Sequence, residues 1–519
     1  MSVATFASRG IGFVRVWVIA AVFGTTYLGN TFQASNSISN VLFELLAAGA
    51  LSAVLVPTFV EAFRTGDDRE AERLASGVLG LALVVMGVVA IVGVLLAPAI
   101  ARLLSSGAPN SHVQSQQIAL STFLLRFFVP QVMLYAVGTV ATGVLFAKRR
   151  FVITAVAPIA NTVVIVTALV IFRVMHGSDP SLDLTLAEKL VLALGGTLGV
   201  VGFVAVPTVA LLRSGFRLRA TLGTVDRELR RLLWLSAWVA LQPDVALLLV
   251  TALVMGNQVA GGVVAYQFCF VAFLAPYAIL AQPVHTTILP ELSLDASRGD
   301  MISFARRLRW GLDGMAMLLL PVSAAFVALA EPTMRVLSVG NSRDGTDLLA
   351  AALSSLGVGL FTYGAFLLLA RAFYALGDSR TPALVAAGSA LLGAAVMIVG
   401  GLTAESGAGR VAALGLGHSV AYLVGALVLG ATLSRRVGHS FFPRAFWRSL
   451  GISVVLGGLA WWVEDLIDPT ERIASVVVLA AIGLVGGAMY ALMVRLLSPR
   501  GPRLEAAFEP ADPDLAVDP

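Results

Sequence analysis

Two arginines stand at the start of the first long apolar stretch of this 519-residue chain. The stretch reads "SRGIGFVRVWVIAAVFG", with Arg9 at its beginning and Arg15 six residues further along. In a helix this spacing places Arg15 about 9 Å deeper, where an unpartnered guanidinium in a bilayer costs about 3 kcal/mol or more. A guanidinium offers two parallel N–H donors to a phosphate, so this position predicts anion binding.

Other charged residues lie in or near the ends of apolar stretches, and each is a functional candidate or half of a buried ion pair that fixes packing. Glu44 follows Arg15 on the next stretch and is a candidate partner for it. Asp244 and Asp378 are candidates for a cation site, although the pattern favours a simpler role for Asp378, capping the turn before "SRTP". The remaining charges of this kind are Arg126, Asp313 and Arg371.

The composition is that of a membrane protein. Hydrophobic residues make up 58% of the chain and charged residues only 13%, against about 25% charged in soluble domains. A single cysteine excludes a disulfide or a cysteine-based metal cluster within the chain. We find no phosphate-binding loop, zinc spacing or nucleophile elbow, so we expect no enzyme activity, no cofactor and no metal.

The apolar stretches predict an all-α polytopic fold, because spans of about 20 residues satisfy their backbone groups internally only as helices. We predict fourteen spans: 8–28, 36–63, 75–103, 119–146, 151–174, 189–213, 232–256, 260–288, 310–331, 347–375, 381–403, 410–434, 446–464 and 474–497.

The distribution of basic residues predicts the orientation. Alternate loops carry most of the 35 lysines and arginines, and such loops face the cytoplasm. Both termini are then cytoplasmic. This asymmetry explains the net charge of +5 without a nucleic-acid partner.

Short motifs repeat six spans apart in the same order. "VPTF" near Pro57 corresponds to "LPEL" near Pro290, and "LFAKRR" corresponds to "FYALGDSR". Six is an even number, so the two halves have the same orientation, as in several transporters. We predict an N-terminal six-helix lobe (1–222), a C-terminal six-helix lobe (223–440), two additional helices (441–498) and a disordered acidic tail (499–519).

Five stretches resemble the MurJ lipid II flippase family, within the superfamily that includes MATE exporters. They are "SRGIGFVRVWVIAAVFG", "NVLFELLAAGALSAVLVPTF", "GVLFAKRRFVITAVAPIANTVV", "TILPELS" and "FYALGDSRTP". The resemblance covers nearly the whole chain. It implies two lobes around a cationic cavity, with the last two helices forming a groove for the lipid tail.

The resemblance also implies a function in the bacterial cell membrane. Such proteins move undecaprenyl-diphosphate-linked disaccharide-pentapeptide, the peptidoglycan precursor, from the inner to the outer leaflet by alternating access. Arg9 and Arg15 match the arginines of the first-helix motif that face the diphosphate. The expected partners are this lipid-linked precursor, membrane lipids and cell-wall synthesis proteins.

The chain departs from the family pattern at several positions. Asn30 and Ala48 stand where acidic residues are frequent, Phe43 and Glu44 where arginines are frequent, and Val271 in place of an eighth-helix arginine. The cavity is therefore less cationic, and other polar groups are expected to line it. These candidates are Asn30, Glu44, Arg126, Gln267, Gln282 and His285.

Three alternatives remain open at this stage. The chain transports another lipid-linked glycan, exports small organic cations as MATE proteins do, or serves as a non-transporting scaffold for cell-wall synthesis. A cation exporter requires acidic residues in the cavity, for which Glu44 and Asp244 are the candidates.

Overall fold

A computed structural model of the chain describes residues 2–43, 59–60, 63, 68–221, 244–469 and 471–497. In these ranges the elements are helices joined by turns, with no strand. Ten helical stretches are long and apolar enough to cross a membrane. The predicted all-α membrane fold is therefore confirmed.

The helices fall into three consecutive groups along the chain. The N-terminal helices are α1 (Ser2–Phe23), α2 (Tyr27–Phe43), α3 (Asp68–Leu104), α4 (Ser111–Phe128), α5 (Gln131–Ala147), α6 (Phe151–His176) and α7 (Leu186–Arg213). The C-terminal helices are α8 (Asp244–Gly256), α9 (Gly262–Pro276), α10 (Gln282–Arg298), α11 (Met301–Ala328), α12 (Ala330–Leu337), α13 (Thr346–Gly357), α14 (Leu360–Ala375), α15 (Arg380–Thr403) and α16 (Gly407–Val437). The final pair is α17 (Phe446–Ile467) and α18 (Arg472–Leu497).

The number of spans in the described ranges is ten, or eleven if a bent pair is one span. This pair, Gly340–Gly357 with Leu360–Ala375, is bent by 43°. The predicted spans 36–63 and 232–256 lie partly outside the described residues, so the total of fourteen stays a prediction. The lobe boundary at 222 and the tail 499–519 also lie outside them.

The first predicted span, 8–28, is interrupted near its end. Helix α1 ends at Phe23, and Gly24 has a φ of +63°, a conformation that glycine adopts at no steric cost. The Thr26 hydroxyl then accepts a hydrogen bond from the Gly29 N–H at 3.2 Å and caps the next helix. The predicted end at residue 28 is therefore wrong, because local turn chemistry divides a continuous apolar run.

Helix α1 contributes to two hydrophobic cores at once. Ile19 and Phe23 belong to the core of the N-terminal helices. Val16 and Ala20 belong to the larger core of the C-terminal helices. The first helix therefore lies in the contact between the two groups, where any movement of one group against the other displaces it.

Helices α6 and α7 pack closely because α7 presents glycines to α6. A Cβ atom added to Gly195 would overlap the Cβ of Ala168, and one added to Gly199 would lie 2.5 Å from Oδ1 of Asn161. Small residues four apart let membrane helices approach one another in this way. The N-terminal helices are thus held together by close backbone contact as well as by side-chain packing.

The last two helices lie at the edge of the C-terminal group. Helix α17 packs against α11, and α18 packs against α12 and α17. The Tyr490 hydroxyl donates to the Met317 carbonyl at 2.8 Å and ties α18 to α11. Trp461 and Trp462, in the C-terminal part of α17, are each 57% exposed, as is typical of aromatic residues at a membrane interface.

Candidate functional site

Helix α2 is an uncharged polar helix that contacts α9 across the two helix groups. Its polar side chains are almost fully buried, which is costly unless neighbouring groups hydrogen-bond to them. The buried members are Asn30, Thr31, Gln33, Ser35, Ser37 and Ser39.

Three buried amide side chains join the two groups at one end of α2. Asn30 donates from Nδ2 to Oδ1 of Asn257 at 3.1 Å and to the Val259 carbonyl at 2.8 Å, and its Oδ1 accepts from the Val263 N–H at 3.0 Å. Gln117 and Asn257 exchange two hydrogen bonds of 2.9 Å. Both groups therefore contribute to one network with matched donors and acceptors.

Further hydrogen bonds cross the same contact on either side of this network. They are Gln267 Nε2 to Ser37 Oγ (2.6 Å), Trp17 Nε1 to the Leu337 carbonyl (2.7 Å) and Asn341 Nδ2 to the Val22 carbonyl (2.9 Å).

Thr25, in the turn between α1 and α2, fits against two glycines of the C-terminal helices. A Cβ atom added to Gly345 would overlap the Thr25 side chain, and one added to Gly261 would overlap its backbone. Gly261 also has a φ of +75°, which disfavours any other residue. We use "the seam" for the contacts made by Thr25, Asn30, Gln117, Asn257 and Gly345.

Arg15 lies in α1 and is half-buried. Its guanidinium is close enough to Tyr135 of α5 for the two groups to interact electrostatically. The Tyr135 hydroxyl donates to Oδ1 of Asn40 at 3.1 Å. Among the described residues no ion pair involves Arg15; the side chain of Arg9 and all of Glu44 lie outside them.

This arrangement combines a basic side chain in the first helix with two helix groups that are joined by a hydrogen-bonded contact. The model of the protein family described as lipid II flippase MurJ matches residues 19–481. The chain belongs to the MurJ lipid II flippase family. The resemblance seen in the sequence is therefore confirmed.

Relatives in the MurJ family match the chain over nearly its full length. The lipid II flippase MurJ of Burkholderia cenocepacia is 28% identical over 488 residues, 91% of each chain. The probable lipid II flippase MurJ of Rhizobium tropici is 26% identical over 510 residues, 95% of this chain and 92% of the relative.

Solved structures show the same fold. A lipid II flippase MurJ in an inward closed conformation has a TM-score of 0.76 and 18% identity, and the match covers 96% of this chain and 99% of that one. An inward-facing MATE multidrug transporter has a TM-score of 0.67 and 14% identity, and the match covers 83% and 94%. The chain therefore shares its fold with both of these structures.

The predicted cavity-lining residues lie in different parts of the structure. Asn30 and Gln267 lie in the contact between the two groups and bond across it. His285 is fully buried among the C-terminal helices and Gln282 is half-buried. Arg126 is exposed on α4.

Asp378 lies in the turn before α15 and caps that helix. Its carboxylate accepts from the Thr381 N–H at 3.0 Å, from the Thr381 hydroxyl at 2.8 Å and from Arg436 at 2.6 Å. These bonds, above all the one from the Thr381 backbone, hold the pKa of Asp378 below its ordinary value. The side chain of Asp244 lies outside the described residues, so a cation site shared with Asp378 stays a prediction.

The sequence analysis missed Asn257, which accepts a hydrogen bond from Asn30, and Gln117, which bonds in turn to Asn257. The available signal was the polar run "NTFQASNSISN", which leads into the second predicted span. So many amides and hydroxyls require buried partners, but the sequence does not say where those partners are.

Proposed function

We propose that this protein is a lipid II flippase that carries the diphosphate-linked head group from the inner to the outer leaflet by alternating access. The family match over residues 19–481 supports the substrate class. The contact across the seam supports a state that is closed at one end. By the predicted orientation this is the outer end, and the head group then enters from the cytoplasmic side.

In this proposal Arg15 binds the diphosphate. Its fork of N–H donors matches two phosphate oxygens. Tyr135 and Asn40, on α5 and α2, supply neutral hydrogen-bonding groups beside it. They partly replace the cations that this chain lacks.

A cation exporter is the second candidate function that the fold allows, because the MATE structures share this fold. Such a protein requires carboxylates where its substrate binds. The described residues of α1, α2 and α9 include no aspartate or glutamate, whereas Glu44, which follows α2, and the side chain of Asp244 lie outside the described residues. The charged residues described in these three helices are the two arginines of α1, which favours an anionic head group.

The proposed orientation is tested by labelling cysteines. We expect cysteines introduced at Ser178 and Thr221, in a Cys269→Ala background, to react from opposite sides of the membrane. Both positions are exposed, and Cys269 is the only native cysteine and is buried. An impermeant thiol reagent applied to intact cells is expected to label position 178 alone. Labelling of both positions from one side would contradict the topology.

The proposed function is tested by replacement of a host flippase. In cells depleted of their own lipid II flippase, expression of this chain is expected to prevent accumulation of lipid II in the inner leaflet and to restore growth. Lipid II accessibility in each leaflet is the measurement. If the chain is inserted at normal levels and lipid II still accumulates, the protein acts on another substrate or as a scaffold.

A further inference from the structure

The end of the last helix lies beside the start of the helix before it. Arg448, in the first turn of α17, donates from Nη1 to the carbonyl of Leu497, the last residue of α18, at 3.1 Å. Arg309 of α11 donates to the carbonyl of Ser440, in the turn that leads to α17. Arg444 in the same turn is exposed. We use "the arginine cluster" for Arg309, Arg444 and Arg448.

The arginine cluster is arranged around the carboxylate of Asp313 in α11. All three guanidinium groups lie close enough to this carboxylate to interact with it electrostatically, and its Oδ1 accepts from the Ala445 N–H at 2.7 Å. The Nε atoms of Arg309 and Arg448 are buried and have no acceptor among the residues that the structure describes. Since buried donors are normally satisfied, their acceptors are water or a group outside those residues. Three positive charges around one carboxylate suit a further anionic group.

Two exposed aromatic rings adjoin the arginine cluster. Phe442 is 51% exposed and Trp447, which precedes Arg448, is 67% exposed. Their rings stack with centroids 6.4 Å apart, and both pack edge-on against Phe446. The surface therefore offers positive charge and aromatic rings side by side, which fits a peptide that carries carboxylates and an aromatic residue.

The chain supplies such a peptide shortly after α18. Residues 505–518 read "EAAFEPADPDLAVD", with five carboxylates, no basic residue and one aromatic residue, Phe508. Glu505 follows Leu497 by eight positions, and eight extended residues span up to about 27 Å. Because Leu497 is itself hydrogen-bonded to Arg448, the segment can reach the arginine cluster without any movement of the helices.

We propose that the acidic segment 505–518 binds the arginine cluster of its own chain. Its carboxylates pair with the guanidinium groups, and Phe508 packs on the exposed aromatic rings. Such exposed pairs are individually weak, but a short tether holds the segment at an effective concentration on the order of millimolar. Because the arginine cluster joins α11 to α17, the bound segment ties the end of α18 to the C-terminal helices, whatever the protein transports.

The competing occupant of this surface is an anionic phospholipid, since basic and aromatic residues also suit a membrane interface. Two observations favour the acidic segment. Arg448 binds the backbone at the end of the helix that leads to the segment. The segment also combines carboxylates with an aromatic residue, whereas a phospholipid headgroup offers no ring to stack on Phe442 and Trp447.

Cross-linking within one chain measures the contact. In a Cys269→Ala chain, cysteines replace Ser440, which is exposed beside the arginine cluster, and Ala507, the residue before Phe508. A short bismaleimide is applied to the protein in phosphatidylcholine vesicles and in vesicles that contain phosphatidylglycerol. We expect a cross-linked single chain in both. A product that joins two chains, or a cross-link that is lost in the anionic vesicles, overturns the proposal.

Charge variants show whether the cross-link reports binding or random collision. We expect Arg444→Glu to lower the cross-linking rate about fivefold, because an attraction between exposed charges becomes a repulsion. Replacement of the five carboxylates of the segment by amides is expected to have a similar effect. The matched control is Arg219→Glu, which makes the same change at an exposed position of the segment after α7 and is expected to leave the rate unchanged.

The combined variant separates binding from a disturbance of the fold. Once the segment carries amides in place of its carboxylates, Arg444→Glu is expected to lower the rate no further, because the two changes act on one interaction. The proposal is overturned if Arg444→Glu cross-links as fast as Arg219→Glu, or if it still lowers the rate about fivefold in the amide variant. Neither result depends on lipid II, so failure of the proposed substrate leaves this test unaffected.

Discussion

Arg15→Ala is expected to abolish transport of the diphosphate-linked precursor while the protein remains inserted at normal levels. The guanidinium is half-buried in α1 and supplies the charge that compensates the diphosphate in a poorly solvated path. Arg15→Lys is expected to rescue transport only in part, because a compact ammonium does not reproduce the bidentate fork. The measurements are complementation of a flippase-depleted strain and lipid II accessibility in the outer leaflet.

Two further variants show whether the charge at position 15 acts on the substrate. Arg102→Ala removes the same charge from an exposed position in the last turn of α3 and is expected to leave transport largely intact. If Arg15 only pairs with Glu44, then Arg15→Ala leaves a carboxylate alone, at about 3–5 kcal/mol if it is buried, and protein levels fall. Recovery of both levels and transport in the Arg15→Ala, Glu44→Ala double variant would contradict the substrate-binding role.

Gly195→Leu is expected to prevent the N-terminal helices from assembling. Even one carbon atom at this position overlaps Ala168, and a leucine would force α6 and α7 apart along the face where Gly199 also meets Asn161. Overpacking of a tight core costs about 1–3 kcal/mol of stability, occasionally more. Two helices in close backbone contact have little room to adjust, so we expect a loss of stability at the upper end of this range or beyond it. The measurement is the amount of monodisperse protein extracted from membranes, together with its thermal midpoint.

The matched control for this prediction is Gly486→Leu. Gly486 lies on α18, and an added Cβ there has nothing within 4 Å, so the same change of residue meets open space. If Gly195→Leu and Gly486→Leu yield equal amounts of protein with equal thermal midpoints, the close packing of α6 on α7 does not limit stability.

The fold was largely predictable because hydropathy and the charges of loops are local properties of the chain. Arg15 was recognisable as unusual for the same reason, since its position within an apolar run is visible in the sequence. The end of α1 was predicted at residue 28, but the helix ends at Phe23. The glycine turn and threonine cap at 24–26 end the helix although the apolar sequence continues.

The seam was not predictable to the same degree. Asn30 was predicted to line the cavity, but the sequence did not reveal its partner Asn257, which is separated from it by 227 positions. Gln117 is separated from Asn257 by 140 positions. One sequence contains no information on which distant amides meet, and the close fit of Thr25 against Gly261 and Gly345 is visible only once these residues are placed in space.

The uncharged character of the seam has a consequence for how the membrane potential acts on the protein. Voltage performs work only on charges that move through the field, at about 2.3 kcal/mol per elementary charge per 100 mV. Asn30, Gln117 and Asn257 carry no net charge, so the separation of their side chains contributes no gating charge. Any electrical driving force must therefore act on Arg15, on other charged groups that move with the helices, or on the diphosphate itself.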